Sequence, residues 1–335
     1  MTEGSLILAP LRGVTIRCFR ETFAKEIAEA GFAETVTPFI TANAGVDPLK
    51  DRELRVGSRG DATFLSRVKE VDSSFSRDRN VASPLEAVVN SSSRDRNVAS
   101  PLVTPQFIGK DPAALRFCLE RIKSAGYTTA DLNCGCPFPM VRNKGRGSGI
   151  LRTPDVLRQM LEVGCEVMGP GNFSIKARLG VERTDELLKL MPLVNAFPLR
   201  YLTIHARTAR QMYEGACDLD AFRRIQDVAA VPLVYNGDLP FPLPSTSSLQ
   251  PPTFNLQPLS LMLGRGFIRY LGTREDASEL LRRYLAASVA ELCGDRPVLG
   301  RMKELLSYWK ELPRWSRRWN LIKICRTLDE LRAVI

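Results

Sequence analysis

The sequence predicts an α/β fold, a (β/α)8 TIM barrel followed by a small all-helical C-terminal domain. Three observations carry that prediction. Short β-branched or apolar runs alternate with stretches of helical period along most of the 335 residues. Strand-like runs recur eight times before residue 272 and then stop. Nearly every run ends in polar residues or glycine, and barrels of this kind collect their chemistry at the carboxyl ends of their strands. The alternative, an open doubly wound sheet, lacks a GxGxxG turn after its first strand.

In order, the expected strands are 6–10, 34–40, 102–109, 129–135, 173–180, 201–208, 232–238 and 260–266. Helical patterns such as 113–125 and 154–164 separate most of them, and Asp218 is placed to cap a helix from Leu219. Two segments interrupt the rhythm. The string SRDRNVASPL stands at 76–85 and again, unchanged, at 93–102, which reads as a recent solvated and disordered insertion at about 66–102. Segment 239–258 carries six prolines where the seventh helix should lie, so a long helix is not expected there. Beyond the barrel (1–271), helices are expected at 275–292, 298–311 and 315–333, making a helical domain over 272–335.

Composition narrows the function. Hydrophobic residues make up 44% and charged residues 25%, as in ordinary globular chains. No run approaches the roughly 18 apolar residues of a membrane span, and the N-terminus lacks a basic leader, so a cytoplasmic protein without a membrane partner is expected. The single histidine, His205, excludes multi-histidine metal sites. Eight cysteines without dense spacing read as reduced thiols. A net charge of +10 points to a polyanionic partner.

The strand ends present Pro10 and Arg12, Gln106, Asn133 with Cys134 and Cys136, Lys176 and Arg178, His205 and Arg207, then Asn236–Gly237–Asp238 and Gly264–Arg265–Gly266. The last two motifs form a natural phosphate site, because small residues let backbone N–H groups approach an anion, although glycines also serve plain tight turns. Lys176 and Arg178 project to one face of a strand and call for an anion, a polar ligand or a salt bridge. His205 shares a strand end with Arg207, which favours ligand contact over a satisfied core histidine. Cys134 and Cys136 have no companion ligands for zinc and stand too close for an easy disulfide. What remains is one reactive cysteine on a glycine-rich loop, a thiol with an ordinary pKa of about 8.5 that can donate a proton or attack.

These residues resemble the tRNA-dihydrouridine synthase family. The matching strings are LAPLRGVT (8–15), PQFIG (105–109), DLNCGCP (131–137), IKARLG (175–180), IHARTARQMY (204–213), YNGD (235–238) and MLGRG (262–266), in the family's order along the whole barrel. Leu11, Arg12 and Ile16 depart from the family's pattern. The resemblance implies reduction of a uridine in tRNA with FMN as cofactor and NADPH as electron donor, without a metal and without a required oligomer. It makes Cys136 the general acid that protonates C5 of uracil. Pro10, Leu11, Arg12, Gln106, Lys176, His205, Asn236, Gly237, Asp238, Gly264 and Arg265 then surround the flavin, and Asn133, Arg178, Arg207 and Tyr213 face the substrate. Two other readings stand beside it, a flavin barrel acting on a free pyrimidine and a flavin-less RNA-binding relative.

The charge has a location. Residues 296–326 hold nine bases and two acids, and loop 137–152 holds Arg142, Lys144, Arg146 and Arg152 with no acid. Trp309, Trp315 and Trp319 fall in the first stretch, where they serve either helix packing or stacking on unpaired RNA bases.

Overall fold

Eight strands close a cylinder in the computed structural model, which describes residues 4–54, 101–243 and 260–335. The segments are β1 (Leu6–Leu8), β2 (Phe32–Val36), β3 (Ile40–Thr41), β4 (Leu102–Thr104), β5 (Gln106–Ile108), β6 (Ala130–Cys134), β7 (Phe173–Gly180), β8 (Leu202–Thr208), β9 (Leu233–Asn236) and β10 (Ser260–Leu263). All neighbours are parallel. β2 and β3 are one strand interrupted at Pro38–Phe39, and β4 and β5 are one strand interrupted at Pro105, since proline has no N–H to give a ladder. β2 pairs with β4 while β3 pairs with β5, so the ladder returns on itself and the predicted barrel closes.

The helices around it are α1 (Arg17–Thr22), α2 (Ala24–Glu29), α3 (Pro112–Ser124), α4 (Pro139–Arg142), α5 (Pro154–Met168), α6 (Glu186–Val194), α7 (Leu219–Gln226) and α8 (Arg265–Thr273). Their ends follow local chemistry. The Asp111 carboxylate accepts from Ala113 and Ala114 N–H before Pro112 opens α3, and Asp218 caps α7 through Ala221 N–H. Gly169, with φ +89°, ends α5. Inside α5, Gly164 lies against the Phe173 ring, where a Cβ would sit 2.1 Å from a ring carbon. That glycine lets the helix rest directly on the barrel wall.

The C-terminal helices are α9 (Ala277–Glu291), α10 (Asp295–Ser307), α11 (Pro313–Ile322) and α12 (Leu328–Arg332). The helix expected over 315–333 is two helices, because Thr327 and Glu330 form a capping box that starts a new one. This region shares its core with the barrel: Leu8, Phe19 and Phe23 pack in one cluster with Tyr284, Leu285, Met302 and Trp309. Each such large apolar side chain removed from water contributes about 1.5–3 kcal/mol. Trp309 and Trp315 are buried, pack against each other with their rings tilted by 48°, and donate to the Ile268 and Gly272 carbonyls of α8. Both belong to the helix core, which removes them from the RNA-stacking alternative; Trp319 is half-buried.

Most of the duplicated string and most of the proline-rich segment lie outside the described residues. The second copy ends inside them, at Leu102, where β4 begins. Residues 237–243 contain no helix, as the prolines require. No helix among the described residues is long and apolar enough to cross a membrane.

Inside the cylinder, polar rows follow the strand register. Gln106, Asp131 and Ser174 stand side by side, as do Asn133, Lys176 and Thr203, and then Arg178, His205 and Asn236. Toward the amino ends of the strands, the buried Glu34 carboxylate accepts from Tyr201, Thr104 and Arg200, tying three strands together.

Candidate active site

A pocket of about 620 Å³ opens at the carboxyl ends of the strands, a volume typical of small-molecule sites. Thirteen of the residues singled out in the sequence line it: Pro10, Leu11, Arg12, Asn133, Cys136, Lys176, Arg178, His205, Tyr213, Asn236, Gly237, Gly264 and Arg265. Gln106, Arg207 and Asp238 do not. Gln106 and Arg207 are buried behind the wall and Asp238 is half-exposed beside it, and each bonds a residue that does.

Cys134 and Cys136 separate by location. Cys134 ends β6 and packs in the core between barrel and helices. Cys136 lies beyond the strand, in a turn that faces the pocket. Asn133 makes that turn, its Oδ1 accepting from the Gly135 N–H at 3.1 Å and from the Cys136 N–H. The following basic loop folds back on it, with Ser148 N–H and Oγ both donating to the Cys136 carbonyl at 3.0 Å. Gly147 (φ +56°) is obligatory there, because a Cβ would stand 2.8 Å from that of Cys136. Burial pushes the Cys136 thiol above its ordinary range, while the Phe138 N–H and the Arg12 and Arg178 charges pull it down. The thiol stays protonated at neutral pH.

Behind Cys136 runs a chain of side-chain hydrogen bonds. Asn133 Nδ2 donates to Gln106 Oε1 at 2.8 Å, and Gln106 Nε2 donates to Asp131 Oδ1 at 2.7 Å. Ser174 Oγ donates to the other Asp131 oxygen at 2.7 Å. Gln106 and Asp131 are wholly buried.

Lys176 and Arg178 are held by oxygens other than carboxylates. Lys176 Nζ donates to Asn236 Oδ1 at 2.8 Å, and Asn236 Nδ2 donates to the Met262 carbonyl. Burial, then the Arg178 charge, pulls the Lys176 ammonium down to about 7, with Asp131 opposing. Arg178 donates to the carbonyls of Gly135, Thr208 and Met212, so it clamps the Cys136 turn to the segment after β8. Met212 takes a left-handed φ of +53°, which costs a non-glycine residue about 1–2 kcal/mol, and the clamp offsets it. The payoff is the placement of Tyr213, whose ring centroid lies 5.3 Å from both the Arg178 and Arg265 guanidinium carbons.

His205 is buried among Lys176, Arg178, Arg207 and Arg265; burial first, then those charges, keeps it neutral. Arg207 Nη1 lies 3.2 Å from its Nε2. A guanidinium only donates, so Nε2 accepts and the ring proton sits on Nδ1. Arg207 also bonds Asp238 and the Gly215 carbonyl, and Arg265 bonds the same Asp238. The buried Arg207 side chain thus braces the wall, where the sequence implied direct ligand contact, while Asp238 ties Arg207 to Arg265 and keeps half its side chain exposed. Gln106 moves as Arg207 does, from flavin contact to the support of Asn133.

Sequence reasoning missed Glu304 on α10 and Tyr308, the residue that caps it, and Phe39, Phe138 and Met140 at the rim. The α10 pair brings the helical region into the pocket wall. Its only sequence signal was an i, i+4 polar spacing opposite an apolar stripe. Phe138, Met140 and Tyr213 are exposed there. Among the described residues no cluster of His, Cys, Asp and Glu has metal-site geometry.

The chain matches the family described as dihydrouridine synthase over residues 79–253. It is 28% identical over 305 residues to tRNA-dihydrouridine synthase B of Escherichia coli K12, covering 87% of this chain and 80% of that one. A probable tRNA-dihydrouridine synthase of Helicobacter pylori is 27% identical over 242 residues, 68% of this chain and 71% of the relative. Among solved structures, morphinone reductase superposes with a TM-score of 0.47 at 11% identity, over 79% of this chain and 83% of that one.

Proposed function

This chain belongs to the dihydrouridine synthase family, and on that premise we propose that it reduces a uridine of tRNA to 5,6-dihydrouridine at the barrel mouth, with FMN as cofactor and NADPH as electron donor. The observation that carries the reading is Cys136, a protonated thiol on the wall of a cation-lined pocket.

The pocket fits a flavin mononucleotide. Helix α8 opens at Gly264–Arg265 on the pocket wall with no side-chain cap, leaving orphan N–H groups for a phosphate. A Cβ on Gly264 would press to 3.2 Å from that of Ala9, and one on Gly237 would collide with the Tyr235 hydroxyl, so the backbone stays open at both positions. Gly237, Gly264 and Arg265 would hold the phosphate end, and Pro10, Leu11, Lys176, His205 and Asn236 the ring. When bound, the flavin supplies the hydride for C6 of the uracil and is recharged by NADPH.

The protein supplies the proton and the placement. Cys136 gives its S–H proton to C5, which completes addition of two hydrogens across the C5–C6 bond. A buried thiolate remains, and the Arg12 and Arg178 charges that pull the resting thiol down stabilise it. Asn133, which makes that turn, also lines the pocket. The target base has to leave its stack to reach Cys136, and the exposed Phe138, Met140 and Tyr213 give it apolar and aromatic faces at the rim. Arg142, Lys144 and Arg146 next to that rim, with the basic face of the helical tail, meet the RNA backbone.

Purified protein tests the reading. Incubated with FMN, NADPH and unmodified tRNA, it is expected to bind the flavin and form dihydrouridine detectable by mass spectrometry. Folded protein that takes up no FMN would refute the reading, as would flavin-loaded protein that leaves tRNA unchanged while reducing free uracil.

A further inference from the structure

The chain of amides behind Cys136 has only one consistent direction, fixed at one end by the backbone N–H groups of the turn and at the other by a residue outside the pocket. Burial lifts the Asp131 carboxyl to about 6, so at neutral pH it is ionised and has no proton to give. The group of Gln106 that faces it is therefore its NH2. That leaves the Gln106 carbonyl for Asn133, which turns the NH2 of Asn133 toward it at 2.8 Å. The Asn133 carbonyl then faces forward and receives the backbone N–H groups of Gly135 and Cys136. Ser174 takes the second Asp131 oxygen, so the carboxylate cannot turn away. Resting on the uridine-reduction reading above, we propose that Asp131 is a positioning residue for the proton donor: through Gln106 and Asn133 it fixes the turn that places the Cys136 thiol on the pocket wall.

Three features separate this from ordinary core packing. Asp131 is fully buried and has no salt-bridge partner among the described residues, unlike Glu34 with Arg200. A buried carboxylate answered only by an amide and a hydroxyl is costly, and leucine would fill its space more stably. Gln106 and Asn133 face the barrel interior on successive register rows, so the polar path from Asp131 to Cys136 is continuous. Each link also selects the orientation of the next, which a packing residue does not do.

Two substitutions cut the path and one preserves it. Gln106→Leu and Asp131→Leu leave Asn133 free to turn. Asp131→Asn keeps an oxygen toward the Gln106 NH2, and the Ser174 hydroxyl can rotate to accept from the new amide while donating to the Ala130 carbonyl it already faces at 3.3 Å. Hydrogen–deuterium exchange of the whole protein, without added cofactor, reads the turn directly. The amides of Gly135 and Cys136 are expected to exchange about tenfold faster in Gln106→Leu and Asp131→Leu, with Asp131→Asn within about threefold of wild type. For the reaction, kcat for tRNA is expected to fall about tenfold in both leucine variants while the Kd for tRNA holds, the pattern of misplaced chemistry rather than lost binding. Unchanged exchange in Gln106→Leu, or Asp131→Asn as fast as Asp131→Leu, would overturn the proposal. The exchange contrast decides it independently of turnover, whereas absence of turnover in wild type would overturn the reading of the reaction.

Discussion

The barrel interior buries two carboxylates, Glu34 and Asp131, and uses them differently. At the amino end Glu34 is met by Arg200, Tyr201 and Thr104, and its bonds join strands that are far apart in sequence. Beneath the pocket wall Asp131 meets an amide and a hydroxyl, and the cations nearer the mouth, Lys176 and Arg178, are answered by amide and carbonyl oxygens. Charges that are neutralised in pairs hold a cylinder shut. Charges left on neutral acceptors remain available to a ligand, at a cost in stability that the rest of the fold carries.

The largest expected effect breaks the mouth alone. Cys136→Ala is expected to lower tRNA reduction by about 10²–10⁴-fold, the range for a lost general acid, with the thermal transition little changed. Cys134→Ala, two residues away but in the core, is expected to show the reverse: activity kept, with stability reduced by a calorimetrically visible amount. Breaking the other end comes next. Glu34→Ala strands Arg200 and two hydroxyls and is expected to cost about 3–5 kcal/mol in denaturant unfolding, while molecules that remain folded keep their activity.

Lys176 sharpens the contrast through pH. Its folded pKa is depressed to about 7, so between about 7 and 10.5 the unfolded chain binds a proton that the folded chain does not. Stability from this group therefore rises with pH across that window, and is lost as pH falls toward 7. The melting temperature of cofactor-free protein is expected to rise from pH 7 to pH 9, and Lys176→Met to flatten the rise; an unaltered slope in that variant would show the lysine is not the titrating group. The smallest effects lie on the basic loop. Lys144→Gln and Arg146→Gln are each expected to reduce the slope of log K against log salt for tRNA by about 0.7–0.9. Arg152→Gln is expected to change it less, because that guanidinium is already engaged by Glu182.

Much of the mouth was legible in the sequence, because strand ends and turn residues are local features. Asp218 announced its helix, Lys176 and Arg178 announced a shared face by parity, and the glycines of the last two loops announced close backbone approach. What stayed hidden depends on distant partners. The breaks at Pro38 and Pro105 read as continuous strands, since pairing partners decide where a ladder survives a proline. Gln106 and Arg207 read as ligand contacts because their chemistry suits a ligand, and only the neighbouring Asp131 and Asp238 show that they serve the wall. Glu304 and Tyr308 reach the pocket through docking of α10 on the barrel, which no periodicity encodes. Trp309 and Trp315 sat among bases in the sequence and proved to be core, their indole N–H groups paid off by α8 carbonyls.

The most direct test of the account takes tRNA from a strain without its own dihydrouridine synthases and measures dihydrouridine after expression of wild type, Cys136→Ala and Cys134→Ala. The account predicts dihydrouridine with wild type and Cys134→Ala and almost none with Cys136→Ala at equal protein level. Equal dihydrouridine from Cys136→Ala and wild type would contradict it.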